Sequence, residues 1–252
     1  MKNTDSPRLR TVDKVKPPYP LNVFPEKFGL CLGREIIYLH ATKNNISLEG
    51  EEWEKIFADC IGAVWKPSNV GLDDVILDTC AWSAKTVKSS SKPTQQKSVR
   101  LISGRNSPIY SFEENFRTDS DPNQLGNQIL AIWNERVSAI RKLYKHARTV
   151  VLIKSEKLDE VVVFEFDTIR YEPDLFYWEW NKKRNLEGFD NKSKNHVFTW
   201  QPHGSQFTII KEVPPQKLII KIRIPDKLDK ETVLKSVGFN DSWITILHNN
   251  DG

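Results

Sequence analysis

The run Thr149-Val150-Val151-Leu152-Ile153, followed after the charged turn Lys154 to Glu160 by Val161-Val162-Val163-Phe164-Glu165-Phe166, narrows the possible folds of this chain more than any other feature. β-Branched side chains are stiff at χ1 and suit a pleated backbone, so both runs are predicted strands. The first is apolar on both faces. Such a strand must be covered on both sides, which places it at the centre of a sheet flanked by helices.

Helical periodicity interrupts the strands elsewhere. Glu51 to Ile61 carries Trp53, Ile56, Phe57, Cys60 and Ile61 at i, i+3, i+4, i+7 and i+8, the pattern of an amphipathic helix. Gly126 to Lys145 is a longer helix with a stripe of Ile129, Ile132, Trp133, Val137, Ile140, Arg141 and Tyr144. Further strands are predicted at Ile36–Leu39, at Ser98–Ser103, and at 217–224, where Leu218, Ile220, Ile222 and Ile224 alternate with Lys217, Ile219, Lys221 and Arg223 near a sheet edge. Strands and helices in mixed order predict an α/β (α+β) class with a central mixed β-sheet flanked by helices.

At 252 residues the chain suits one large domain, or one domain with an appended recognition part. Residues 1–20 are polar and proline-bearing and read as a flexible arm, with Arg8, Arg10, Lys14 and Lys16 able to touch a phosphate backbone. Net charge is +4 with a pI near 8.8, which lacks the strongly basic signature of a protein that coats nucleic acid and permits, without demonstrating, one that confines positive charge to a cleft. Cys31, Cys60 and Cys80 are odd in number, lack CxxC spacing and sit in apolar surroundings; this predicts buried free thiols in a reducing compartment. No apolar run approaches the roughly 18 residues of a membrane span, and the first twenty residues lack a signal-peptide core. The expectation is a cytoplasmic protein.

The chemistry-bearing stretch is Gly71-Leu-Asp-Asp-Val-Ile-Leu-Asp-Thr-Cys-Ala-Trp-Ser-Ala-Lys-Thr-Val-Lys88. Asp74 stands at the mouth of Val75-Ile76-Leu77, and Ser83, Lys85 and Val87 alternate with Trp82, Ala84 and Thr86 along a second strand. An acid at one strand end and a lysine on its neighbour can meet around a metal-bound water. That suits phosphodiester hydrolysis, where water must lose a proton and charge growing on phosphate must be neutralised. Mg²⁺ needs only one or two protein carboxylates and retained waters.

The hairpin resembles the PD-(D/E)XK superfamily of metal-dependent nucleases and, within it, the type II restriction endonucleases. Asp74 matches the first catalytic aspartate, with Asp73 where proline is usual, and Lys85 matches the lysine. Ser83 stands at the second acid position; some restriction enzymes are similar in having Ser-x-Lys there and drawing a carboxylate from elsewhere. Many members also resemble this chain in a Gly-x-x-aromatic-Glu helix before the first catalytic strand, and Glu54 matches its glutamate. Glu51 shares that helix face, and acids in a first turn also complement the helix dipole. Glu113, Glu114 and Glu135 rank below Glu54 as substitute acids, and Gln128 is similar to a glutamine that follows the lysine strand in some members. The resemblance implies a restriction-endonuclease-like core over 21–170, with catalytic Asp74, Lys85, Glu54 and Ser83, and Mg²⁺ on Asp74 and Glu54.

Residues 171–252 are expected to continue the same domain as its recognition-rich part, densest at 171–215. Asn181, Lys182, Lys183 and Arg184 place three cations beside an amide, and Gln201, His203, Ser205 and Gln206 surround a Pro/Gly turn. The turn Gly104 to Pro108 is expected to project Arg105 and Asn106. Arginine is suited to guanine, asparagine and glutamine to adenine, and lysine to phosphate. Trp200 and Phe207 read as packing residues. The polar loop Ser89 to Lys97 offers further donors to phosphate.

The leading expectation is therefore a prokaryotic type II restriction endonuclease: a Mg²⁺-dependent hydrolase of double-stranded DNA at a short site, working as a homodimer if that site is palindromic. The alternatives are a repair or phage-defence nuclease of the same fold and a non-catalytic DNA-binding protein, to which Ser83 gives weight.

Overall fold

The strand that is apolar on both faces lies inside a six-stranded sheet, with every residue of 147–154 buried. The fold is seen in a computed structural model, which describes residues 15–44, 46–66, 71–112 and 120–247. In chain order the elements are α1 (Phe28–Thr42), α2 (Glu51–Ile61), β1 (Val64–Trp65), β2 (Val75–Leu77), β3 (Cys80–Lys88), β4 (Ser98–Arg105), α3 (Pro108–Phe112), α4 (Pro122–Leu143), β5 (His146–Lys154), β6 (Glu160–Asp167), β7 (Phe176–Trp180), β8 (Leu186–Asp190), β9 (His196–Gln201), β10 (Gln206–Glu212), β11 (Leu218–Lys221) and α5 (Lys230–Ser236).

The first sheet has the order β1-β2-β3-β5-β6-β11 and is mixed: β3 and β5 run parallel from Cys80↔His146 to Lys88↔Lys154, and its other pairs are antiparallel. The second sheet, β4-β10-β9-β8-β7, is antiparallel throughout. The predicted α+β class with a central mixed sheet is what the chain forms.

Alternation along β3 and β5 divides the core. Trp82, Ala84, Val150 and Leu152 face α1 and α2, meeting Phe28, Leu32, Ile36, Trp53 and Phe57. Ala81 and Ala147 face α4 and the aromatic inner side of the second sheet, with Ile129, Trp133, Phe198 and Phe207. Val151 and Ile153 take Val99 and Leu101 of β4 on that same side. Truncating a buried aromatic such as Trp82 to alanine in such a core costs about 3–5 kcal/mol. α4 closes on β7 so tightly that a Cβ at Gly126 would stand 2.3 Å from the Trp178 ring, which is why a glycine occupies a helix interior.

Three expectations are corrected. Residues 36–39 are helical, because Phe28, Leu32, Ile36 and Leu39 form a buried stripe whose period overrides the local β-preference of Ile36-Ile37-Tyr38. α4 begins at Pro122, because Asp121 caps it by accepting from the amides of Asn123 and Gln124 and proline suits the first turn. The arm does not extend to residue 20: the Tyr19 ring is buried, and the Val15 carbonyl lies 2.8 Å from Nε2 of His146. Arg8, Arg10 and Lys14 lie outside the described residues, whereas Lys16 is exposed.

The cysteines also differ from expectation. Cys80 is a buried free thiol, but Cys31 and Cys60 are half-buried and face each other across α1 and α2 with their sulfurs 2.6 Å apart. Among the described residues no helix is long and apolar enough to cross a membrane.

Candidate active site

The site grows from the β2–β3 hairpin. Its register, Val75↔Trp82 to Leu77↔Cys80, sets Asp74 one step beyond the last pair, where a further partner would have stood opposite Ser83. The Asp74 side chain takes up the released amide instead: Ala84 N–H donates to Asp74 Oδ2 at 3.2 Å. The Asp74 carbonyl accepts from the amide of Lys66, so both ends of the residue are held. Because Trp82 and Ala84 point to α1 and α2, Ser83 and Lys85 must point to the opposite face, towards α4.

Four charges gather here. Burial pushes the Asp74 carboxyl up to about 6, the Lys85 ammonium pulls it back, and the Glu54 carboxylate pushes it further up. Burial lowers Lys85 below the usual lysine range, with Asp74 and Glu54 acting against that shift. Glu54 comes from the first turn of α2, is half-buried, and accepts from Trp65 Nε1 at 3.1 Å. Glu51, one turn before it, is exposed and pairs with Lys55 at 2.7 Å. Of the two glutamates that share the helix face, Glu54 is thus the one brought to Asp74 and Lys85.

The fourth charge, Arg136, was not identified from the sequence. It lies in the α4 stripe between Trp133 and Val137, where a lone arginine gives no signal. Burial lowers its guanidinium and the Asp74 charge raises it. Its Nη1 donates to the Ser103 carbonyl at 2.6 Å and to Asn106 Oδ1 at 3.3 Å.

Ser83 supplies no negative charge. Its hydroxyl is fully buried and carries one proton, which goes to the Gly71 carbonyl at 3.0 Å or, turned to Asp74, holds that carboxyl down. Glu135 is exposed on α4 and Gln128 is half-buried there, while Glu113 and Glu114 lie outside the described residues.

Among the described residues no group of three or more His, Cys, Asp or Glu side chains gathers as a metal cage. A hard cation that takes one or two carboxylates and keeps its waters does not need one. Glu54 raises the proton affinity of Asp74, and a divalent ion placed between the two carboxylates would relieve that repulsion.

The recognition candidates separate into three groups. Arg105, Gln206 and Gln201 are cross-strand partners on β4, β10 and β9, so their side chains form one row at the end of the second sheet. Arg105 is exposed and the two glutamines are half-buried; His203 is exposed at the tip of the adjoining turn. Lys182, Lys183 and Arg184 are exposed in the β7–β8 turn.

The amides behave differently. Asn181 is a turn-former, accepting from the amides of Lys183 and Asn185 and donating to Glu187. Asn106, expected to project, is fully buried: its Nδ2 donates to the Ile129 carbonyl at 3.0 Å and its carbonyl accepts from Trp200 Nε1 at 2.8 Å. It is buried because a tight bend folds over α4, which a turn reading of Gly104 to Pro108 does not reveal. The 89–97 loop is likewise partly tied down, with Ser89 buried and Thr94 donating to Glu160.

Comparison with known protein families, with curated proteins and with solved structures returned no match.

Proposed function

We propose that this chain is a metal-dependent endonuclease that hydrolyses phosphodiester bonds of double-stranded DNA in the manner of a type II restriction enzyme. The observation that carries the reading is the convergence of Glu54 from α2, Asp74 at the mouth of β2 and Lys85 on β3, where Glu54 acts on both of the others and Asp74 and Lys85 act on each other. Structural ion pairs hold their charges comfortably; here an acid is pushed up to about 6 and a lysine is lowered, as in sites that handle protons.

In this reading Asp74 and Glu54 hold one Mg²⁺, which when bound supplies a Lewis acid and a more acidic water. Lys85 orients that water and accepts or stabilises the displaced proton, a role its lowered proton affinity suits. Water adds across one ester bond. The water oxygen loses a proton and joins phosphorus, the P–O bond to the leaving sugar oxygen breaks, and that oxygen regains a proton. Ser83 fixes the loop that enters Asp74 through Gly71.

Arg105, Gln206 and Gln201 would read base edges, with His203 beside them and Lys182, Lys183 and Arg184 on phosphates. A palindromic site would make the working unit a homodimer in a prokaryotic cytoplasm.

The test incubates plasmid and phage DNA with the chain and Mg²⁺, beside Asp74→Ala and Lys85→Ala. Discrete fragments that either substitution abolishes are expected. Ser83 in place of a second acid favours the rival reading, a DNA-binding protein without catalysis. Intact DNA binding with no cleavage under Mg²⁺ or Mn²⁺ would establish that rival and end the nuclease proposal.

A further inference from the structure

We propose that Arg136 is a catalytic residue of this site and receives the non-bridging oxygens of the phosphate under attack. The inference rests on the nuclease reading above and extends it to a residue that no sequence pattern marks.

The guanidinium sits in a built cradle. Nη1 is aimed by the Ser103 carbonyl at 2.6 Å and by Asn106 Oδ1 at 3.3 Å. Asn106 cannot yield, because its Nδ2 bonds Ile129, its carbonyl takes Trp200 Nε1 and its amide donates to the Ser205 carbonyl. Trp133 lies one turn back, with its ring centroid 5.6 Å from the guanidinium carbon.

The space itself is reserved. Gly104 has φ +110, and a Cβ there would stand 2.6 Å from Nη1, 2.8 Å from Nη2 and 3.0 Å from Cζ. Any other residue at 104 would push the guanidinium away. The Nη2 edge runs past Gly71, whose Cβ would lie 3.6 Å from it, on the loop that leads into Asp74. Arg136 is therefore delivered to the side of the hairpin that Ser83 and Lys85 face, in the field of both Asp74 and Lys85.

A guanidinium stays charged through the reaction, since it cannot be deprotonated in a protein, and its planar fork matches phosphate oxygens. Lys85, with lowered proton affinity, is suited to the water; Arg136 is suited to charge that grows on phosphorus-bound oxygen. A preorganised cation of that kind acts more strongly in the transition state than in the bound ground state. Its cradle also joins the two halves of the molecule. Ser103, Gly104 and Asn106 flank Arg105, so a shift of the reading row on the bases would move the guanidinium with it.

The experiment compares wild type with Arg136→Gln, Arg136→Lys and Gly104→Ala. It measures single-turnover cleavage with Mg²⁺, Kd for the same DNA without divalent ion, and Tm. Arg136→Gln is expected to slow cleavage by roughly 10²–10³-fold while Kd stays within about threefold. Arg136→Lys and Gly104→Ala, which keep the charge but misplace it, are expected to lose about tenfold or more in rate at unchanged Kd. Cleavage by Arg136→Gln within threefold of wild type overturns the inference and leaves the nuclease reading intact. So does a rate that falls only in step with Kd and Tm, which marks a structural role. Should Arg136→Gln fail to fold, Arg136→Lys decides by the same criterion. A wild-type chain that cuts no DNA overturns the nuclease reading and this inference together.

Discussion

Two buried carboxylates, one on the first sheet and one just before its β2 strand, could hardly be treated more differently. Glu165 on β6 receives Tyr19 Oη and Trp82 Nε1, each at 2.7 Å, on one oxygen and Arg148 Nη1 at 3.2 Å on the other. Asn22 brackets its backbone, accepting from the amide and donating to the carbonyl. Burial raises the Glu165 carboxyl, but Tyr19, Arg148 and Trp82 all work to hold the charge. Asp74 has one backbone amide, one serine hydroxyl, a lysine that is itself pushed towards neutrality, and a second carboxylate against it. Both side chains are nearly inaccessible, so burial does not separate them. Completeness of partnering does: the charge of Glu165 is met by three donors, whereas Asp74 has a second carboxylate set against it.

The largest expected effect tests the finished cluster. Glu165→Ala strands Arg148 without its counter-charge and leaves Tyr19 and Trp82 without an acceptor, so urea titration should show a loss of about 3–5 kcal/mol. A loss below about 1 kcal/mol would erase the contrast between the two sites.

Asp74→Asn should move stability the other way. The folded state holds the Asp74 proton more tightly than the unfolded chain, so the favourable contribution of that proton is complete below about pH 4 and disappears as pH rises through about 6. At pH 8 the amide should therefore be more stable than wild type by up to about 3 kcal/mol, and at pH 4 the two should coincide. Equal stabilities at both pH values would contradict the strain assigned to Asp74.

A divalent ion should relieve that strain. Mg²⁺ at about 100 times its Kd is expected to add roughly 2.7 kcal/mol to wild type. The gain should grow from pH 5 to pH 7 as Asp74 gives up its proton, and Glu54→Gln and Asp74→Asn should lose it. A Tm that ignores Mg²⁺ in wild type would remove the metal from the proposal.

The smallest effect belongs to Ser83→Ala. Loss of the bond to Gly71 should cost about 1 kcal/mol and raise the Asp74 carboxyl above about 6, to be followed by NMR titration. An unchanged titration would mean that the hydroxyl serves only the loop.

Some of this was legible in the residues alone. α2 runs from Glu51 to Ile61 as its stripe predicts, because periodicity there coincides with a stop signal, Gly62 in the left-handed conformation. Asp74 and Lys85 could be brought together on paper because hairpin alternation fixes which side chains share a face. The α1 segment reads locally as a strand, because three consecutive β-favouring residues, Ile36-Ile37-Tyr38, mask a stripe spread over three turns. The burial of Asn106 is not legible in the sequence, because polar identity signals exposure only until a buried acceptor appears, here the Ile129 carbonyl.

What the sequence determined by itself was what local physics controls: the strand that must be covered on both faces, the amphipathic helices, and the acid and lysine of one hairpin. Tertiary structure alone decided which charges meet. It chose Glu54 over Glu51, brought Arg136 to Asp74 across 62 residues of chain (136 − 74), and satisfied Glu165 with Tyr19 from 146 residues away. Electrostatic coupling and desolvation depend on distance and burial, and neither is encoded by neighbours along the chain.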